Sequence, residues 1–269
     1  MIDGLAVTTD TMVEGVHWDD RLSAEDVGWK LVAVNVSDLA AMAARPAWAV
    51  LALSLPDPPD EAWVEGFARG LGAAARRWGF VLAGGDTTRS PGPVVASLTL
   101  AGPADRPVLR SGGRAGDTLW VTGELGLAAE GFLAEQPSIH AQRRLRRPEP
   151  RLSVGLALAG VATAMMDLSD GLATDLPRLC ASSGTGADVR SSDVPGVATL
   201  SWRLAWGDDY ELLFAAPTEA TDAVASISAM HGVPIAAIGA LCADPGRILL
   251  DGAPDWPVPA FAHFRRERG

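Results

Sequence analysis

Short apolar runs of strand length alternate with longer segments of helical periodicity along nearly the whole chain, and that alternation confines it to α/β or α+β architecture. Leu5 to Thr11 reads as a strand. Ser23-Ala24-Glu25-Asp26 is a capping box that opens a helix to about Ala44, where Pro46 stops it. Val50 to Leu55 is a strand, Asp60 to Trp78 a helix closed by Gly79, Phe80 to Ala83 a short buried strand and Val94 to Leu100 another. Ala101 to Pro107, rich in proline and glycine, is the linker candidate and separates an N-terminal domain, 1–105, from a C-terminal one, 106–269. Beyond it, strands at Thr118 to Thr122, Ala164 to Asp167, Glu211 to Ala215 and Pro234 to Ala240 alternate with helices at Leu125 to Glu135, Arg151 to Val161, Leu172 to Ser182 and Glu219 to Met230. The expected architecture is two α/β domains.

Charge and composition narrow the function classes. The chain has 269 residues, 33 acidic against 22 basic side chains, and a net charge of −11. Such an acid excess opposes nucleic acid or an anionic membrane as partner, since both want a basic face. Lys30 is the single lysine and lies in Asp26-Val27-Gly28-Trp29-Lys30-Leu31, which is not a glycine-rich loop ending Gly-Lys-Ser/Thr, so a P-loop nucleotide site is excluded. The longest nearly apolar run, Val154 to Met166, falls short of the roughly 20 residues a membrane-spanning helix needs. Met1-Ile2-Asp3-Gly4 has no secretory character, and Cys180 and Cys242 are unpaired in spacing. The expected compartment is the cytoplasm.

Four acidic sites share one form, an apolar run meeting an aspartate flanked by Gly, Ser or Thr: Thr8-Thr9-Asp10-Thr11, Gly84-Gly85-Asp86-Thr87-Thr88, Asp167-Leu168-Ser169-Asp170-Gly171 and Trp206-Gly207-Asp208-Asp209-Tyr210. Each is read as a strand end, where α/β sheets bind their ligands. A fifth acid is more constraining. Val27, Leu31, Val34 and Asp38 recur at spacings of four, three and four, which sets Asp38 on the apolar stripe of its helix. A buried unpaired carboxylate costs several kcal/mol, and the nearest arginine in sequence, Arg45, is two turns on. A bound cation is the economical partner. Carboxylates with Thr and Ser hydroxyls are hard oxygen ligands that suit Mg²⁺ rather than zinc, and acidic Mg²⁺ sites typically serve a polyphosphate. Taken singly, each Asp-Gly or Asp-Thr pair is also ordinary turn chemistry.

The segments Thr8-Thr9-Asp10-Thr11-Met12-Val13-Glu14-Gly15-Val16-His17, Asn35-Val36-Ser37-Asp38-Leu39-Ala40-Ala41-Met42, Gly84-Gly85-Asp86-Thr87-Thr88, Asp167-Leu168-Ser169-Asp170-Gly171-Leu172 and Gly207-Asp208-Asp209-Tyr210-Glu211-Leu212 together resemble the ordered motif set of the thiamine-monophosphate kinases. That family lies in the superfamily of aminoimidazole ribonucleotide and selenophosphate synthetases. The resemblance implies Mg²⁺ ligands at Thr8, Thr9, Asp10, Asp38, Asp86, Asp167 and Asp170, with Asp10, Asp38 and Asp170 closest to the chemistry. It implies ATP contacts at Gly85, Asp86, Arg110 and Ser169, an aromatic near the nucleotide at Phe67, and contacts to thiamine monophosphate at His17, Asp208 and Phe261. It also implies a homodimer paired through the N-terminal sheet, with a C-terminal domain closing an ATP cleft.

The implied reaction is ATP-dependent phosphorylation of thiamine monophosphate by direct in-line transfer; another phosphate-activating enzyme of the superfamily, or a nucleotide-binding dimer without turnover, are the alternatives. Family members carry, before the Thr-Thr-Asp strand, a glycine-rich segment ending Gly-Asp-Asp. Residues Met1 to Leu5 hold no counterpart, so either the start is misassigned or trimmed, or the chain is a diverged member without the Mg²⁺ ligand that segment would supply. Trp206-Gly207-Asp208 stands where the family tends to have Gly-Gly-Glu. The arginines of 143–151 read as a solvated connection, the tryptophans as packing, and both cysteines as small buried hydrophobes.

Overall fold

A computed structural model of the chain describes residues 4–258 and 260. Its elements run β1 (Leu5–Val13), α1 (Ala24–Ala41), β2 (Trp48–Leu55), α2 (Glu61–Trp78), β3 (Val81–Arg89), β4 (Val95–Pro103), β5 (Thr118–Thr122), α3 (Leu127–Leu133), α4 (Ile139–Arg146), α5 (Leu152–Ala157), β6 (Ala164–Asp167), α6 (Leu172–Ser183), β7 (Gly186–Val189), α7 (Leu200–Ala205), β8 (Leu212–Ala216), α8 (Thr221–His231), β9 (Ile235–Cys242) and β10 (Ile248–Leu250). The mixed α/β class read from the alternation is the class observed. Two compact units divide the chain: residues to Pro107 together with Arg146–Ala159, and Val108–Leu145 together with the chain from Gly160.

The first unit is built on a four-stranded sheet in the order β1-β4-β2-β3, antiparallel except for the β2/β3 pair. Helix α1 begins at the Ser23 cap, whose side chain accepts from Asp26 N while the Asp26 carboxylate accepts from Ser23 N. The apolar-stripe reading understates its burial. With the sheet on one side and α2 and α5 on others, α1 is buried nearly all round. Leu31 and Leu39 are sealed from solvent, each contributing about 1.5–3 kcal/mol by transfer alone. Helix α2 starts at Asp60, which accepts from Ala62 and Trp63 N–H, and stops at Gly79 in the left-handed conformation.

Residues 146–159 close this unit from far along the chain. Arg147 donates to Asp26 (2.6 Å) and Glu25 (2.9 Å) and stacks over Trp29, whose indole N–H reaches Pro148 O. The arginine connection is therefore not the solvated loop its charge suggests.

The second unit carries a six-stranded sheet in the order β10-β7-β9-β5-β8-β6. Leu119, Met166, Leu172, Leu176, Leu179, Leu213 and Ile238 form its core beneath α6 and α7. Several elements differ from the sequence reading. β3 runs on through Arg89 because its polar residues pair fully with β2, and β4 continues to Pro103, absorbing the front of the linker candidate. β7, α7 and β10 are six residues or fewer and give no period to read.

Candidate functional site

β1 splits its motif between the two faces of the sheet. Successive side chains alternate, so Thr8 and Asp10 point toward α1 while Thr9 and Thr11 point away. On the α1 side, Thr8 Oγ1 donates to Asp38 Oδ2, and the Asp10 and Asp38 carboxyls are hydrogen-bonded to each other. Burial first, and then the Asp38 charge and that hydrogen bond, push Asp10 up to about 7. Asp38 also lies in the last turn of α1, where the helix dipole disfavours an anion and the final turn holds no basic residue. Two carboxylates this close share either a proton or a cation, and together with the Thr8 hydroxyl they form an all-oxygen donor set of the kind Mg²⁺ takes.

The outer face collects a different set. Thr9 meets Thr99 (2.8 Å) and Thr11 meets Ser97. Asp86 is not at a strand end but within β3, and it lies in the row Thr11–Ser97–Ala52–Asp86, whereas Asp10 lies in the row with Leu98, Leu51 and Gly85. Adjacent rows face opposite sides. Within this chain, then, Asp86 and Thr9 share the outer face and do not join the Asp10–Asp38 pair. A Cβ on Gly85 would sit 2.1 Å from Leu51 O, so only glycine lets β3 approach β2 here.

Two further positions of this unit are fixed by packing. Phe67 is 2% exposed, stacked on Trp63 at 5.2 Å within the core, and offers no open face to a nucleotide. Its aromatic identity is explained by that packing. His17 Nδ1 accepts the Val13 N–H (2.9 Å), which in the neutral ring leaves the proton on Nε2.

In the second unit, Asp167 is the last residue of β6 and is buried, the only one of the four motif acids that closes a strand. The turn after it is zipped to the segment before β8: Leu168 N donates to Glu211 O, Tyr210 N to Leu168 O and Asp208 N to Ser169 O. This brings Asp167, Ser169, Asp170 and Asp208 into one neighbourhood. Asp208 and Tyr210 both have left-handed backbone, φ +67° and +51°, a conformation costly for such residues and held here by those hydrogen bonds. Tyr210 OH donates to Asp208 Oδ1 (2.8 Å). Asp170 is gripped by Arg178 Nη1 (2.5 Å), which also reaches Asp175 Oδ1 (3.0 Å), while Asp170 N donates to Asp175 Oδ2. Burial, then the Asp170 charge, raise Asp175 to about 6. Arg110 is exposed, and its carbonyl accepts from Ser183 Oγ, at the opposite end of α6 from Asp170. Phe261 lies outside the described residues. Among those residues no three His, Cys, Asp or Glu side chains form a metal-ligand cluster; the acids meet in pairs.

Sequence reasoning missed the network beneath this loop. Arg144, on α4, pairs with Glu211 and donates to Asp209 O (3.0 Å), and Thr122 Oγ1 donates to Glu211 Oε2 (2.7 Å). Asp209 accepts the Gly126 N–H (2.8 Å), yet burial raises it to about 7 against those donors. Asp175 was findable, because Leu172, Asp175 and Leu179 repeat the spacing that singles out Asp38.

Residues 2–104 match the AIR synthase related protein, N-terminal domain, and residues 114–251 match the AIR synthase related protein, C-terminal domain. The thiamine-monophosphate kinase of Salmonella typhimurium is 39% identical over 97% of this chain and 86% of its own length. The crystal structure of the enzyme of that name from Stenotrophomonas maltophilia superposes with a TM-score of 0.86 at 38% identity, covering 93% of this chain and 85% of that one. The structure of AaThiL complexed with AMPPCP and TMP superposes at 0.83 with 31% identity, over 92% of this chain and 84% of that one.

Proposed function

Because this chain belongs to the thiamine-monophosphate kinase family of AIR synthase related proteins, we propose that it transfers the γ-phosphoryl group of ATP to thiamine monophosphate, giving thiamine diphosphate and ADP. The observation that carries this reading is 39% identity to such a kinase along nearly the whole chain, coinciding with the Thr8–Asp38–Asp10 cluster on β1 and α1. An acceptor that is itself a phosphate monoester is already anionic at pH 7 and needs no general base. The obstacle is repulsion between two anions, so the protein's task is to position them and to offset charge.

Thr8, Asp10 and Asp38 of the first unit would hold Mg²⁺, Asp167 and Asp170 of the second are further candidate ligands, and the Asp10–Asp38 pair fits the ion because its two carboxylates otherwise share a proton. Mg²⁺ held there would supply positive charge that offsets the phosphates' mutual repulsion. Gly85 and Asp86 in the first unit and Ser169 in the second are the proposed ATP contacts, and Arg110, at the opposite end of α6 from Asp170, would meet the nucleotide away from Ser169. His17 presents Nε2–H to the acceptor, and Asp208, fixed by Tyr210, contacts its cationic portion together with Phe261.

The working form is a homodimer. Val7, Trp48, Val50 and Val81 stand exposed on the outer sheet face, which a second copy would cover, and Asp86 and Thr9 share that face. No helix among the described residues is long and apolar enough to cross a membrane. The test is direct: purified protein with ATP, Mg²⁺ and thiamine monophosphate should yield thiamine diphosphate and ADP in equal amounts. Absence of ATP- and Mg²⁺-dependent conversion overturns the reading.

A further inference from the structure

Two residues before Asp208 in the chain, Trp206 pairs with Phe132 in an aromatic contact that the phosphoryl chemistry does not use. Phe132, at the end of α3, is 40% exposed, and Trp206, the residue after α7, is half-buried; their ring centroids are 5.4 Å apart with planes tilted by 37°. Leu133, next to Phe132, is exposed as well. Partly exposed aromatics of this size ordinarily mark a contact surface. Trp206 is also held in place from both sides: its N–H donates to Trp202 O, and two residues on, Asp208 N donates to Ser169 O. The indole is therefore carried on the same fixed segment as the Asp208 carboxylate.

An aromatic face with a carboxylate two residues away is the recognition chemistry of an organic cation. The ring supplies quadrupole attraction and apolar contact, and the carboxylate supplies the opposite charge. Resting on the function proposed above, the acceptor carries such a group, since the thiazolium ring of thiamine monophosphate is a permanent heteroaromatic cation. We propose that Trp206, braced by Phe132, is a specificity-determining residue that contacts the acceptor's thiazolium ring and selects for its positive charge. Asp208 and Trp206 then both answer that ring's positive charge, one with an opposite charge and the other with its π face, from one short segment.

Titration calorimetry of thiamine monophosphate, and of its neutral isostere with a thiophene in place of the thiazolium, into wild type, Trp206→Phe and Trp206→Ala tests this, with Mg²⁺ and AMPPCP present. Trp206→Ala should weaken the cationic ligand about 3- to 30-fold and the neutral isostere by less than about 3-fold, with Trp206→Phe in between for the cation. KM for thiamine monophosphate should rise while kcat and AMPPCP affinity hold. Equal losses for the two ligands, or none for the cation, overturn the assignment. Should Trp206→Ala fold poorly, the cation-to-isostere ratio in Trp206→Phe decides alone, and an unchanged ratio overturns it. A wild-type protein that turns over no thiamine monophosphate defeats the proposed function itself; turnover with equal ligand losses defeats only the role of Trp206.

Discussion

Asp10 on β1 and Asp38 on α1 are hydrogen-bonded carboxyl to carboxyl, with Thr8 donating to the second of them. Asp10 is held near 7 against an ordinary value of 3.8, so between those limits the folded metal-free protein binds a proton that the unfolded chain has lost. Stability from this group is complete below about pH 4, falls as pH rises toward 7, and is flat above. The slope is at most about 1.4 kcal/mol per pH unit, and Asp175 and Asp209 act in the same direction. Asp10→Asn should flatten the slope between pH 4 and 7 and raise the unfolding midpoint at pH 8, while lowering turnover on the order of 100-fold or more. Denaturant unfolding across that pH range, without metal, measures it; an unaltered slope would reject the shared proton.

Under the proposed function, Mg²⁺ would compete with that proton for the Asp10 and Asp38 oxygens. Mg²⁺ affinity should tighten by at most about tenfold per pH unit up to pH 7 and level off above, with proton release on binding. Calorimetry of Mg²⁺ binding in buffers of differing ionisation enthalpy reports the released proton.

Arg144, nearly buried, neutralises Glu211, which is fully buried. Arg144→Met leaves a buried carboxylate unpaired and should cost about 3–5 kcal/mol, and adding Glu211→Leu should recover most of it. Urea unfolding of the two variants checks both halves.

The paired glycines of β3 are not equivalent. Gly85→Ala places a Cβ against Leu51 O and should destabilise by about 1–3 kcal/mol, whereas Gly84→Ala meets nothing within 4 Å and should stay within about 1 kcal/mol of wild type. Thermal melts of the pair distinguish steric need from ligand contact.

Val50→Asp puts a charge on the open sheet face, beside Trp48 and Val7, and should convert the proposed dimer to monomer without unfolding the unit. Sedimentation velocity on wild type and variant gives the answer.

Much of the first unit is legible in the sequence because its signals are local. The Ser23 capping box, the Gly79 stop and the Asp38 spacing each specify a geometry within one element. Asp86 misled, since Gly-Gly-Asp-Thr-Thr has the composition of a turn, and only pairing with β2 keeps it a strand. Phe67 matched a family position while its ring filled the α1–α2 core, a fact no periodicity separates from ligand contact. The Arg144–Glu211–Thr122 network joins residues 67 to 89 positions apart, and nothing local announces it.

Helix α5 packs against α1 so closely that a Cβ on Gly155 would lie 2.1 Å from Ala40 O, yet more than a hundred residues of chain separate the two. The first unit is thus discontinuous. A fragment ending at Pro107 would leave one flank of its central helix uncovered, and a growing chain cannot complete that unit until residue 159 has left the ribosome, when much of the second unit is still to be made.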